Sequence, residues 1–211
     1  MSSPPPPPPR EIAHMHRLVL ASASPARLAT LRSAGLSPEV IVSGVDEAQV
    51  EATAPAAVAL ELAMAKAAAV AARLAGDGYV IGCDSVLELD GELHGKPASV
   101  SEATERWHRM RGHTGVLHTG HCLIDIATGR HVAATGSTVV EFADVSDAEV
   151  AAYVATGEPL RVAGAFTLDG LGGAFVRRID GDPHNVVGIS LPLLRDLLAR
   201  LGVRWTDLWA R

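Results

Sequence analysis

Two lysines stand apart in a chain that otherwise carries its positive charge on arginine: there are 16 Arg, and only Lys66 and Lys96. A lysine ammonium is a compact point charge, whereas a guanidinium is a planar fork. Both positions therefore suit a point charge on a polyphosphate, set against the bland reading of surface lysines kept by chance. Carboxylates fall at comparable places, with Asp46-Glu47 after one short apolar run and Asp84 after another. A few carboxylates gathered at strand ends suit Mg²⁺ or Mn²⁺, which take oxygen ligands and leave positions for substrate phosphates. Taken singly, each is more often a solvated acid. Ser22-Ala-Ser24-Pro25-Ala-Arg27 is a third group. Two hydroxyls precede a helix start, where free N–H groups and the helix dipole favour an anion. Arg27 would add a two-pronged phosphate donor; the plain alternative is an N-cap with a surface arginine.

The elements that must position these groups alternate in type. Leu18–Leu20 reads as a short buried strand. Ser24 suits an N-cap, Pro25 the first helical position and Gly35 the residue past the end, so a helix is expected from 25 to about 34. Val40-Ile41-Val42 reads as a second strand. A long Ala-rich helix follows from about Pro55 to Leu74, with Val58, Leu62, Ala65 and Ala69 expected on its inner face. Tyr79 to Gly82 reads as a third strand, with Asp84 just past its C-terminal end. Asp90-Gly91 signals a two-residue hairpin between Val86–Leu89 and Glu92-Leu93. Gly95-Lys96-Pro97 is a loop, and a helix is expected over 101–111. Two longer strands, 116–126 and 131–142, flank Thr128-Gly129. Ser146 and Glu149 form a capping box that opens a helix over 147–155. A strand over 174–179, a turn at Gly181-Asp182-Pro183 and a last helix over 191–201 complete the chain. Pro4–Pro9 mark residues 1–15 as an extended, disordered tail. The remainder, 16–211, predicts one α/β domain with a mixed sheet.

Composition excludes several functions. The net charge of −6 and the aromatic content of 4% argue against nonspecific binding to nucleic acid or to an anionic membrane. The longest apolar stretch, 56–72, is broken by Glu61 and Lys66 and is no membrane span. Cys83 and Cys122 are too few for a disulfide framework or a zinc site and read as reduced thiols of a cytoplasmic protein. His118 and His121 lie three apart in a strand, hence on opposite faces, so no histidine metal site is expected. The run Gly91 to Pro97 lacks the Walker spacing, Gly170 to Gly173 lacks the dinucleotide pattern, and no nucleophile elbow occurs. A hydrolase using Ser22 or Cys83 as nucleophile has no histidine–aspartate context.

Together these stretches resemble the Maf family of nucleoside triphosphate pyrophosphatases. The likeness runs from Leu18 to about Leu201. It rests on Ser22-Ala-Ser24-Pro25-Ala-Arg27, Val45-Asp46-Glu47, Ala65-Lys66-Ala67, Gly82-Cys-Asp84-Ser85-Val86 and Gly95-Lys96-Pro97. Further along come Gly112 to Gly120, Gly157-Glu158-Pro159, Ala163-Gly-Ala-Phe166 and Asn185-Val-Val-Gly188. The resemblance implies a two-lobed α/β fold like that of inosine triphosphate pyrophosphatases, with the active cleft between lobes. It implies hydrolysis of a nucleoside triphosphate to the monophosphate and pyrophosphate with a divalent cation, Mg²⁺ or Mn²⁺. Ser22, Ser24, Arg27, Lys66 and Lys96 would hold phosphates. Glu47 and Asp84 would hold the metal and handle the attacking water, with Asp84 as base or, since an ordinary aspartate is a weak base, as its orienter. The partner would be a small-molecule nucleoside triphosphate, with neither nucleic acid nor membrane expected as a partner, and a homodimer is the assembly it allows. One departure matters: where the family carries two arginines after Ser-x-Ser-Pro, the first is here Ala26. Base preference stays open, since parts of 157–172 and 185–188 match different subgroups, and a broad range or a modified or nonstandard base is the expectation. The competing reading is a nucleotide-binding regulator of septum formation with weak catalysis.

Overall fold

The computed structural model describes residues 17–47, 50 and 52–210; the proline tail lies outside the described residues. Seven strands form one mixed sheet: β1 (Leu18–Leu20), β2 (Glu39–Val40), β3 (Tyr79–Leu89), β4 (Glu92–His94), β5 (Thr114–Asp125), β6 (His131–Phe142) and β7 (Val176–Asp180). The order is β2-β1-β3-β5-β6-β7, with β4 also paired to β3. The helices are α1 (Pro25–Ser33), α2 (Pro55–Ala71), α3 (Val100–Met110), α4 (Asp147–Ala155), α5 (Pro183–Val187) and α6 (Leu191–Arg200). The α/β expectation therefore holds.

The pairing of β3 creates the cleft. β5 runs antiparallel along one edge of β3, from Tyr79↔Asp125 to Glu88↔Val116. The other edge is shared: β1 pairs in parallel with residues 79–81, and β4 pairs antiparallel with residues 87–89. Between them, residues 82–86 have no strand neighbour on that edge. Asp84 lies in this gap, in the interior of an eleven-residue strand, which corrects its expected place past a strand end. Asp84-Ser85 reads as a terminator because polar residues there have no partner visible in sequence. In the fold both side chains are satisfied, so the strand continues through them.

Alternation along β3 sorts the side chains. Val80, Gly82, Asp84 and Val86 face α2; Ile81, Cys83, Ser85 and Leu87 face the other helices. The α2 face is unusually close-packed. A Cβ on Gly82 would collide with the Ala63 carbonyl, and one on Gly120 with that of Ala59. Glycine is thus required at both positions by backbone approach. The same contact sets the rotation of α2. Ala59, Ala63, Ala67 and Val70 are buried against the sheet, while Val58, Leu62 and Lys66 line the cleft. Of the expected inner face only Leu62 is fully buried: the helical period was right and its phase was not, because the sheet glycines accept alanine and push bulkier side chains aside.

On the opposite face two cores flank the gap. One joins Leu18, Leu20, Leu31, Ile81 and Leu123 to α6. The other joins Leu87, Leu117, Val140 and Phe142 to α3 and α4. It is the aromatic one, with Trp107 edge-to-face against Phe142, Tyr153 and Phe175. Trp107 also donates its indole N–H to the Ala165 carbonyl at 2.8 Å.

Local differences from expectation are small. β2 is Glu39–Val40 rather than 40–42, leaving Val42 exposed. Residues 171–175 form a 3₁₀ turn, so β7 begins at Val176. The Gly181-Asp182-Pro183 turn opens a short helix, α5, capped by Asp182. The Asp90-Gly91 hairpin has the expected positive φ at both residues, 52° and 78°.

Candidate active site

A cleft of about 700 Å³ opens at the gap in β3. Ser22, Ser24, Arg27, Glu47, Lys66, Asp84 and Lys96 all line it. The structure thus brings together every site residue expected from sequence.

At the centre is an acid–base cluster. Lys66, on the cleft side of α2, donates to Glu47 Oε1 at 2.6 Å and to Asp84 Oδ1. The Lys66 and Asp84 side chains are each 12% exposed, whereas Glu47, on the loop before α2, is 59% exposed. The inner pair is fixed by packing, and the outer acid can swing. Two carboxylates reaching one cation form an all-oxygen donor pair for a small divalent ion, with further ligands left to phosphate and water. Among the described residues no group of three or more His, Cys, Asp or Glu gathers as a metal site, in this cleft or outside it, so a cation here has the two carboxylates alone as protein ligands. Glu47 and Asp84 therefore fit a hard divalent cation of the expected type.

The Ser22–Arg27 turn is built as its sequence suggests, up to the arginine. Ser24 caps α1, its Oγ accepting from the Arg27 N–H, and Ser22 Oγ accepts from the Ser24 N–H at 3.2 Å. Arg27, however, is a strut. Its Nε donates to the Gly188 carbonyl at 2.8 Å, Nη1 to Ser22 Oγ at 3.1 Å and the Cys83 carbonyl at 2.9 Å, and Nη2 to Ser85 Oγ at 3.0 Å. Four of its five N–H groups are used, so the expected two-pronged phosphate donor is corrected to a single remaining N–H. The order continues inward. Thr119 gives its hydroxyl proton to the Asn185 carbonyl, so Ser85 must donate to Thr119, 2.9 Å away. His121 closes the same face: its Nε2 accepts from the Ser190 N–H at 2.8 Å, and burial lowers its pKa to about 4. The neutral ring carries its proton on Nδ1, toward the Thr119 carbonyl. Cys83 is buried, and burial pushes its thiol up to about 12. It is no thiolate nucleophile at neutral pH.

Lys96 stands on the other wall, exposed, in a loop that is clamped from beneath. Arg106 on α3, 5% exposed, donates Nη1 to the Gly95 carbonyl at 2.5 Å and Nη2 to Glu102 at 2.6 Å. Glu102 accepts from the Ala98 N–H at 2.7 Å, and the Gly164 N–H adds a bond to the Gly95 carbonyl at 3.1 Å. Nothing in the sequence singled out Arg106 or Glu102.

Glu158 organises the far end of the cleft. Its carboxylate accepts from Tyr153 Oη, Thr167 Oγ1, and the Leu171 and Gly172 N–H groups. Burial would raise its pKa, but the Thr167 and Tyr153 hydroxyls and these N–H groups together hold it below the ordinary value. The loop it holds presents Thr167, Leu168 and Asp169 to the cleft. The signal was present in Gly157-Glu158-Pro159, but its role depends on residues a turn and a loop away.

The fold and cleft define a mixed α/β protein with a cation-lined site at an interrupted sheet edge. Residues 17–201 match the model of the family described as Maf-like protein. The chain belongs to that family. It is 64% identical over 195 residues to a protein of Streptomyces coelicolor named nucleoside triphosphate pyrophosphatase, covering 92% of this chain and 95% of the relative. A Salinispora tropica protein of the same name is 62% identical over 199 residues, covering 92% and 88%. A solved nucleoside-triphosphatase/dITP/XTP pyrophosphatase from Mycobacterium abscessus aligns at TM-score 0.36 and 16% identity over 61% of this chain and 75% of that one, too remote to carry an argument.

Proposed function

We propose that this chain is a nucleoside triphosphate pyrophosphatase, releasing pyrophosphate and leaving the nucleoside monophosphate. The observation that carries it is the convergence of Asp84, Lys66 and Glu47 in the same cleft as the α1 N-terminus and Lys96. Family membership and the names of close relatives support the same reading. We read the molecule as one domain of two lobes with the cleft between them.

Phosphoryl substitution leaves a protein mainly positioning and charge stabilisation. Asp84 is the group that handles the attacking water. Its Oδ1 is held by Lys66, which leaves Oδ2 to orient the water toward the α-phosphorus. Glu47 and Asp84 are the residues that would hold Mg²⁺ or Mn²⁺, and a divalent ion bound there would supply Lewis-acid polarisation of a phosphoryl oxygen. Lys66 keeps one N–H for substrate and offsets negative charge as the P–O bond breaks. Ser22, Ser24 and the free N–H of Arg27 receive phosphate oxygens at the start of α1. Lys96 stabilises the departing pyrophosphate. Thr167 to Asp169, held by Glu158, meet the base, and we favour a nonstandard or modified base.

The test is a panel of ordinary and modified nucleoside triphosphates with Mg²⁺ or Mn²⁺, scored for pyrophosphate against orthophosphate. Pyrophosphate with the monophosphate is expected. Orthophosphate alone points to stepwise dephosphorylation, and no release with tight nucleotide binding points to the regulator.

A further inference from the structure

Four cationic side chains line the cleft: Arg27, Lys66, Lys96 and Arg161. Two are already engaged. Lys66 lies between Glu47 and Asp84, and Arg27 uses four N–H groups on the protein itself. Lys96 and Arg161 are exposed, and neither side chain has a hydrogen-bond or ion-pair partner among the described residues. Arg161 ends the 3₁₀ turn Pro159–Arg161, whose Leu160 packs on the aromatic core. The next turn contains Gly164, which bonds to Gly95, the residue before Lys96. The two free cations are therefore neighbours in the chain framework of one wall. Leu28 of α1 packs on the other core, so α1 faces them from the opposite half.

Nearby acids do not neutralise Arg161. Glu158 is fully engaged by its four donors, and Asp169, which lines the same cleft, makes no ion pair with it. The chain as a whole has a charge of −6, and Lys66 with its two carboxylates is net negative. A polyanion must be gripped by local cations that are not already paired. A guanidinium offers two parallel N–H groups to phosphate oxygens, which an ammonium does not.

We propose that Arg161, with Lys96 beside it, binds the pyrophosphate portion of the substrate and supplies the guanidinium grip that Arg27 does not. The proposal rests on the pyrophosphatase reading and adds a binding residue to it. Ala26 makes it testable by relocation: it lines the cleft from the first turn of α1, where an arginine would restore a fork on the opposite wall.

The experiment compares wild type, Arg161→Ala, Arg161→Lys and the double variant Arg161→Ala with Ala26→Arg. It measures steady-state pyrophosphate release and calorimetric binding of inorganic pyrophosphate and of nucleoside monophosphate in Mg²⁺ buffer. Arg161→Ala is expected to raise KM about 10- to 100-fold, the loss of one charge-assisted contact, with kcat changed only a few-fold. Pyrophosphate affinity falls by a similar factor, while monophosphate affinity and Tm stay as in wild type. Arg161→Lys recovers part of the loss, and the double variant recovers more. An Arg161→Ala protein with unchanged KM and pyrophosphate affinity overturns the proposal. So does an equal loss for the monophosphate, or a double variant no better than Arg161→Ala. Wild type that releases no pyrophosphate from any triphosphate overturns the underlying reading instead.

Discussion

The two walls of the cleft hold their charges differently. On the α1–α2 wall every charged side chain is tied to protein: Lys66 to Glu47 and Asp84, and Arg27 to Ser22, Cys83, Ser85 and Gly188. On the α3–α4 wall Lys96 and Arg161 are exposed and untied, although the loop beneath Lys96 is clamped. One wall is preorganised, as chemistry at a fixed point requires. The other keeps exposed cations whose N–H groups are open to a ligand. The pair of lysines noticed in the sequence divides between these roles.

The sharpest break of this contrast is at Asp84. Asp84→Asn keeps the shape but removes the carboxylate, and turnover should fall by about a thousandfold with the circular dichroism spectrum unchanged. Turnover near wild type would remove Asp84 from the mechanism. Lysine truncation then separates the walls by stability. Lys66→Ala strands Asp84 in a nearly buried site and should cost about 3 kcal/mol in urea unfolding. Lys96→Ala should cost under about 0.5 kcal/mol, since its side chain is exposed and unpaired. Equal losses would erase the distinction.

A third probe uses pH. His121 lies under the fixed wall with a pKa lowered from 6.5 to about 4, chiefly by burial. The unfolded chain binds that proton more readily, so its contribution is complete above pH 6.5 and is lost as pH falls toward 4. The loss is about 3 kcal/mol at most. In His121→Gln, which keeps an acceptor for Ser190, stability should fall less between pH 7 and 4.5 than in wild type. Parallel pH profiles would assign that acid sensitivity elsewhere. A fourth probe concerns the clamp. Arg106→Met should cost about 2 kcal/mol of stability and lower kcat/KM about tenfold by loosening the Lys96 loop. If Arg106 works through Lys96, adding Lys96→Ala should cost less in the variant than in wild type. Full additivity would make Arg106 merely structural.

Much of the local architecture was legible. Ser24, Ser146 and Glu149 mark helix starts, and Asp90-Gly91 marks the hairpin, because caps and tight turns are governed by residues within four positions. The residues that meet in the cleft had been singled out through motifs and through the scarcity of lysine. Less visible were Arg106, Glu102 and Arg161. In sequence each looks like a solvated surface charge, and only the loop or cleft that it meets gives it a task. The rotation of α2 escaped for a similar reason. Both stripes of that helix are apolar, and the choice between them was made by Gly82 and Gly120 on strands that meet it only in the fold.

The sequence by itself determined the alternation of strands and helices, their caps and turns, and the stock of chemical groups, since those follow from short-range sterics and side-chain identity. Tertiary structure alone decided that β1 and β4 share one edge of β3, leaving a gap at Asp84. It also decided that Arg27 is a strut while Arg161 is free. Hydrogen-bond partners and burial set what a charge can do, and both come from residues far away in the chain.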